Sequence, residues 1–544
     1  MALTKVHYRM IAGSAINVMD YGAVGDGVTD DTVAIRAAIT ASDLAYFNGK
    51  PYVVYFPPCQ GNNGRYMVSE TLVITRNGTC WTGDTAVRRS QPTAIAMLGS
   101  ATDTTLINIT AEAPNFSNLS FEGNTSDDKL VKIFDIHPNP RLPYASEVAA
   151  LGLDPSTLYN FEDVDIEFNN CNFQFSDSAL HTYGRGFYVD TCEFFAVTTA
   201  ITLDRESAYQ EGQFSDQKQA TGLRGYAIRN NRFHGMGASS FVIKNVGSNK
   251  QYVNGVLFTG NYIDTTCSVI RGPLNSSTFS GNNHIAINNI VFDAITNDSA
   301  GDGRGAYTNL TITGNTFNGT STASSATHFL STTSGYTVSN VTLSGNSIRN
   351  VFNHVVNIAG NIENLVVNSN VFADVLGANA SGGPALILNM QTSGTIKGFS
   401  FTGNSILTAS SYAGNSHLIG KNASSVLTGY SLEGNAFDTS EFVITNMSSS
   451  PWASADNSPS VIGRTFCETN TAAVTINDLD DGVTGQEILV LSKGAITFDV
   501  TGTNLNGGST NIVTATGDVT KWICTDGTNW SLLMVMDNSA NNSP

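Results

Sequence analysis

Charge and proline are both scarce in this sequence: 13% of residues are charged, and there are 14 prolines in 544 positions. Low charge does not make the chain disordered, because 41% of its residues are hydrophobic and can build cores. Long apolar runs are missing too. No stretch of about 18 apolar residues could span a bilayer, and the opening MALTKVHYRMIAGSAINVM holds no secretory h-region. The seven cysteines are odd in number and lack C-x-x-C spacing, which argues against a disulfide framework or a zinc site. Basic residues are outnumbered 27 to 45, and a net charge of −18 repels nucleic-acid backbones and anionic membranes at long range. No nucleic-acid partner, membrane insertion, metal or cofactor is expected. Gly22, Gly25 and Gly27 lack a following Lys-Ser/Thr and a βαβ unit. Asp26, Asp30 and Asp31 lack the twelve-residue calcium loop ending in Glu, so they read as turn and N-cap residues.

What is abundant is glycine, 51 residues, together with Asn, Ser and Thr. They are organised. The pattern apolar-polar-Gly-Asn-any-Ile/Phe ends at Ile263, Phe317, Ile348, Ile406 and Phe437, with looser copies around Asn231, Asn282 and Asn370. Spacings of roughly 20 to 35 residues are those of a solenoid. Each copy follows an alternating run such as Leu310-Thr311-Ile312-Thr313, which places Leu310 and Ile312 on one buried strand face. Phe317, Leu343, Ile348, Phe401 and Ile406 are expected inside with them. Gly allows a tight corner at positive φ, and stacked Asn side chains can pass amide hydrogen bonds from coil to coil. Cys171 and Cys192 occupy the Asn position one coil apart and are expected to stack as reduced, buried thiols.

The ends differ from the middle. After Thr29-Asp30-Asp31-Thr32, the residues Ile35, Ala38, Ile39, Ser42 and Tyr46 follow at helical spacing, which predicts an amphipathic helix capping the first coil. Beyond residue 461, short runs such as Ala473–Ile476 and Glu487–Val490 alternate with turn residues and suggest a compact β-sandwich-like unit. Trp522 and Trp530 are expected in its core.

The run from Asn17 through Asp20-Tyr21-Gly22-Ala23-Val24-Gly25-Asp26-Gly27 to Thr32, with Ala34-Ile35 and Val54-Tyr55-Phe56-Pro57-Pro58, resembles the opening of pectate-lyase-like β-helix proteins. Thr4-Lys5-Val6 and Met10-Ile11 resemble the connector that leads into this domain in bacteriophage tailspikes. The resemblance implies an all-β chain: a right-handed parallel β-helix with an N-terminal capping helix and a C-terminal β-sandwich-like domain. The expected divisions are a connector at 1–20, the capping-helix region at 21–50, the β-helix at 51–447, a linker at 448–460, and a trimerisation or carbohydrate-binding domain at 461–544. It also implies a homotrimer carried on the virion, made in the host cytoplasm and joined to another tail protein through the N-terminus. Its target would be a bacterial surface polysaccharide: capsule, O-antigen or exopolysaccharide.

Hydrolysis of such a chain needs two carboxylates across the scissile bond. Acids are frequent between Glu162 and Asp302 and sparse from Gly303 to Leu432. Asp204 and Glu206 are the leading acid/base candidates, with Glu211 behind them, in a loop that interrupts the coil spacing. Arg205, Tyr209, Arg224, His181 and Arg185 are candidate substrate contacts there. Asp163, Asp165 and Glu167 alternate on a strand and should face solvent, since burying three carboxylates is too costly. Asp165, Glu167, Asp264 and Asp293 form a catalytic reserve. A lyase would instead enlist a base among Arg185, Arg205, Lys244 and Arg271. A non-catalytic receptor-binding spike is the third reading.

Overall fold

The computed structural model describes residues 15–538 except 50–51, 60, 62–63, 85–92, 100–103, 124–129, 138–162, 205–223, 238, 247–252, 265–266, 273, 288–290, 295–304, 320–327, 333–335, 351–354, 376–385, 391–393, 409–416, 422–425, 432–433, 438–451, 454–455, 462–465 and 483. Three sheets of 14, 13 and 12 strands, here called A, B and C, wind through residues 16–437. Each coil visits them in that order: Asp163–Asn169 lies in A, Asn172–Gln174 in B and Ser176–Thr182 in C, before Arg185–Asp190 returns to A. Paired strands from successive coils are parallel, and the whole is the right-handed β-helix expected. Leu310, Ile312, Phe317, Leu343, Ile348, Phe401 and Ile406 are each at most 2% exposed. Inside, Phe121, Phe173, Phe194 and Phe233 stack coil upon coil with centroid separations of 5.7, 4.8 and 4.9 Å.

The corner from A to B carries the Gly-Asn signature. Gly260, Gly314 and Gly345 sit at φ of 66°, 64° and 63°, a conformation open to glycine at little cost. The following Asn turns inward. From Asn231 through Asn261, Asn282, Asn315, Asn346, Asn370 and Asn404 to Asn435, each side-chain amide donates to the next Asn Oδ1 at 2.8–3.1 Å. The same Oδ1 accepts the backbone N–H of the preceding Asn, as at Asn282 to Asn315, 2.9 Å. Cys192 and Cys171 continue the column with sulfur in place of the amide. The Cys171 N–H donates to Cys192 Sγ at 3.3 Å, and that thiol donates to the Phe168 carbonyl at 3.4 Å. Both thiols are free. A second, exposed ladder went unseen in the sequence: Asn309, Asn340 and Asn364, all at positive φ on sheet A, pass amide bonds of 3.1 and 3.0 Å.

The helix α1, Thr32–Phe47, buries Thr32, Ala34, Ile35, Ala38, Ile39 and Ser42. Tyr46 departs from the expected buried face. It is 43% exposed, and its ring lies over the Arg76 guanidinium at 4.7 Å while Arg76 pairs with Asp43 at 2.7 Å. Capping also differs in detail. Asp30 Oδ1 accepts from the Thr32 N–H at 3.0 Å, whereas the Asp31 carboxylate turns back to accept from Val24 and Gly25. Ile16–Asn17 pairs with Val54–Tyr55, so sheet A takes its first strand from the stretch expected to be connector, ahead of the β-helix expected from residue 51.

At the other end, a five-stranded and a three-stranded sheet enclose a separate core that includes Trp522 and Trp530, both fully buried. Each indole N–H finds a partner, Thr520 and the Leu479 carbonyl respectively, at 2.8 Å. Trp452 belongs to this core as well, so packing begins inside the stretch expected to be linker.

Asn315→Ala removes an amide that donates at 2.9 and 3.0 Å to Asn346 and Phe279, and leaves the buried N–H of Asn282 without its acceptor. It should cost about 2–4 kcal/mol in denaturant unfolding. Asn340→Ala on the exposed ladder should cost under about 1 kcal/mol. Equal losses would show that the inner ladder has no special weight.

Candidate functional site

Strands of sheet C alternate inward and outward side chains, and their register lines the outward ones into columns. One column runs Asn108, Asp135, His181, Thr202, Lys244, Arg271 and Asp293. Two residues further along the same strands stand His137, Tyr183 and Asp204. Together they make a titratable strip. Lys132 Nζ lies 2.8 Å from Asp135 Oδ1 and donates to the Tyr183 hydroxyl at 3.0 Å. His137 Nε2 is 3.2 Å from Asp135 Oδ2. The Tyr183 ring stacks on both His137, at 4.4 Å, and His181, at 4.9 Å. His181 Nε2 in turn meets Asp204 Oδ2 at 3.1 Å. These side chains are partly screened, with exposures from 12% at His181 to 25% at Asp204.

The charges are held in defined states. Burial alone would raise the Asp135 carboxyl, but hydrogen bonds from His137 and Lys132 outweigh it and keep the group below the ordinary aspartate value. Burial disfavours a charged Lys132, yet its bonds to Asp135 and Tyr183 prevail and raise it. Tyr183 is pushed up, by burial first and by Asp135 as well, against the pull of Lys132. The strip therefore offers an ionised carboxylate, a neutral phenol and a second carboxylate bonded to an imidazole, all on one outer face of sheet C.

Some sequence candidates meet here. Asp204 and His181 are in contact, and Asp293 lies in the same column four coils beyond His181. Others do not meet. Asp165 and Glu167 face outward, as expected, but on sheet A, where Glu167 accepts from Asn115 and Asn169 at 2.8 and 2.7 Å. Asp264 is on sheet B with Arg232 at 3.8 Å, beside a pair formed by His234 and Glu193. They cannot join the strip on sheet C, because different sheets of one coil present their outer faces in different directions. Arg205, Glu206, Tyr209 and Glu211 lie outside the described residues, as do the side chains of Asp163, Arg185 and Arg224.

Lys132, Asp135, His137 and Tyr183 were missed. Acids are densest between Glu162 and Asp302, and Asp135 lies outside that stretch. A signal did exist: Asp135-x-His137, His181-x-Tyr183 and Thr202-x-Asp204 are the same outward pair in three consecutive coils. Loop lengths that vary from coil to coil hide that alignment until the strands are paired.

Asp135 gives a pH signature. Its depressed folded value means that the stability it contributes is present above the unfolded pKa, about 3.9, and is lost as pH falls through the lower folded value. Asp135→Asn should therefore lower the melting temperature at neutral pH, with the gap to wild type closing below about pH 3. A gap that persists under more acidic conditions would point to lost packing.

Compared with known proteins, residues 15–127 match the family model described as rhamnogalacturonase A/epimerase, pectate lyase-like. Two non-secreted LysM effectors of Penicillium expansum, LysM19 and LysM15, are 44% identical over 73 and 62 residues. Those stretches are 12% and 10% of this chain and only 5% and 4% of the two curated proteins. Among solved structures, the catalytic unit of a GH87 alpha-1,3-glucanase from Streptomyces thermodiastaticus is 15% identical, with a TM-score of 0.43, covering 78% of this chain and 69% of that one. The Dettilon tailspike protein is 13% identical, with a TM-score of 0.39, covering 94% and 78%. No helix among the described residues is long and apolar enough to cross a membrane. Residues 15–127 thus resemble the pectate-lyase-like segment of rhamnogalacturonase A/epimerase proteins, and the chain continues beyond them as a right-handed parallel β-helix.

Proposed function

We propose that the chain is a phage tailspike that binds a bacterial surface polysaccharide along the outer face of sheet C and cleaves it, by hydrolysis in the first instance. The observation that carries the reading is the strip Lys132–Asp135–His137–Tyr183–His181–Asp204, in which two carboxylates flank a stacked pair of rings. Asp135, held ionised, is suited to take a proton from water. Asp204, bonded to His181, is suited to pass a proton to the departing glycosidic oxygen. The water oxygen then bonds to the anomeric carbon as the glycosidic bond breaks. The strands that lead to Asp135 and Asp204 are two coils apart, roughly 10 Å between backbones, and inverting enzymes place their carboxyls about 6.5–9.5 Å apart. Glu206 and Glu211 stay in reserve as residues of the loop that begins after Asp204. The matched family is named for a rhamnogalacturonase and an epimerase, which agrees with a glycan substrate.

Elimination is the second reading. Tyr183, a neutral phenol beside Lys132, could protonate a leaving oxygen while a stacked histidine removes a carbon-bound proton. The receptor-binding spike without turnover is the third.

Trimerisation is part of the proposal. In the C-terminal strand Trp530–Met536, the residues Leu533, Met534, Val535 and Met536 are 38–49% exposed, an apolar run that a second and third copy would cover. Virion attachment through the N-terminus belongs to the same proposal.

Asp204→Asn and Asp135→Asn should each lose about 100-fold or more in the release of reducing ends from host polysaccharide, while still binding it. NMR of the first product should show an inverted anomeric centre. If both variants turn over at the wild-type rate, this site is wrong. Product absorbing in the unsaturated-uronate band, together with a dead Tyr183→Phe variant, would replace hydrolysis by elimination. Light scattering should give three chains per particle, and Val535→Asp with Leu533→Asp should shift the mass toward one.

A further inference from the structure

The column on sheet C continues past the proton-transfer groups into a different kind of surface. Lys244 and Arg271 are in direct register on neighbouring strands, ~4.8 Å apart between backbones. Both cations sit against one ring, with Lys244 Nζ 5.4 Å and Arg271 Cζ 5.3 Å from the centroid of Phe241, which they help to bury. Like charges placed opposite each other on a sheet repel. Several other cations of the chain sit directly on carboxylates: Arg65 on Glu122, Arg76 on Asp43 and Lys132 on Asp135. Here the compensation is thin. Asp293 is 3.8 Å from Arg271 Nε, too far for a hydrogen bond, and among the described residues Lys244 has no carboxylate within 4.0 Å. In a chain with a net charge of −18, two neighbouring cations that share so little negative charge form an exception that asks for an outside anion.

We infer that Lys244 and Arg271 form a subsite for the carboxylate of an acidic sugar, so that the polysaccharide taken by this chain is an acidic one. The inference rests on the reading that the outer face of sheet C is the glycan-binding strip. A carboxylate set between the two would relieve their repulsion and accept charge-assisted bonds from both. Lys244 is one coil beyond Thr202, and Asp204 stands two residues along the Thr202 strand. A strand spacing is comparable to the length of a sugar residue, which places the acidic sugar next to the bond held at Asp204. The rest of the column, Asp293, Ser331 and Asn357, carries one acid and then neutral polar groups, so the demand for negative charge is local.

The test is binding, measured apart from turnover. Immobilised polygalacturonate, alginate, hyaluronan and polysialic acid would each be compared with the carboxyl-reduced form of the same polymer, with dextran sulfate as a polyanion lacking carboxylates. At least one acidic polymer should bind ten-fold or more tightly than its reduced form. Lys244→Gln with Arg271→Gln should abolish that preference without lowering the melting temperature, because removing either charge removes repulsion. Asp204→Asn should keep it. Binding to none of the acidic polymers, equal binding of acidic and reduced forms, equal binding of dextran sulfate, or an unchanged Lys244/Arg271 variant would each overturn the inference. Acid-selective binding that depends on the two cations but leads to no cleavage would support the subsite while removing the cleavage reading. Cleavage of a neutral chain that ignores both cations would do the reverse.

Discussion

The inward asparagine at successive corners between sheets A and B, from Asn231 to Asn435, is the constraint on which this part of the structure depends. A buried corner leaves backbone N–H and C=O groups that neither sheet can pair. The asparagine meets the need at both ends: its Oδ1 takes an N–H from one coil while its amide reaches a strand carbonyl and the next asparagine, as Asn346 does with Ile312 and Asn370. Because each residue serves its neighbour, one column of identical side chains indexes the coils from Asn231 to Asn435. Sulfur can substitute at Cys171 and Cys192 because a thiol also accepts and donates, though more weakly.

Indexing one corner frees another. With the A-to-B turn locked, differences in coil length fall in the other two connections: residue 175 alone against residues 320–329 between sheets B and C, and residues 183–184 against residues 204–223 between sheet C and the next strand of sheet A. The latter connections leave from the ends of the sheet C strands that bear Asp135, His181 and Asp204. The candidate chemistry is thus placed on rigid, register-locked strands at the point where the chain is free to vary. That arrangement joins precision of position with variety of surroundings.

The strip also resolves an electrostatic tension. A chain this acidic should repel an acidic ligand at long range, but screening confines that repulsion to about 8 Å at physiological salt. On the outer face of sheet C the local balance decides, and there Lys132 offsets Asp135 while Lys244 and Arg271 stand in excess. Bonds from His137 and Lys132 hold Asp135 ionised, while burial keeps Tyr183 neutral against the pull of Lys132, so the two groups stay in opposite protonation states.

The solenoid, its buried face, the ladder from Asn231 to Asn435, the free thiols and the buried tryptophans were legible in the sequence. Each rests on local periodicity or on a residue type that suits one environment. The exposed ladder at Asn309, Asn340 and Asn364 was not legible, since scattered asparagines in exposed turns have no distinguishing neighbours. Asp204 and His181 were picked out one by one, but their contact was not foreseen, nor that Asp135 and Tyr183 complete the group. Glu167 and Asp264 looked equal to them in sequence and proved to lie on other sheets. Periodicity within a coil tells whether a side chain points in or out, and the amino-acid sequence alone determines that much. Which outward residues become neighbours depends on the pairing of strands separated by connections of unequal length, and only the tertiary structure decides it.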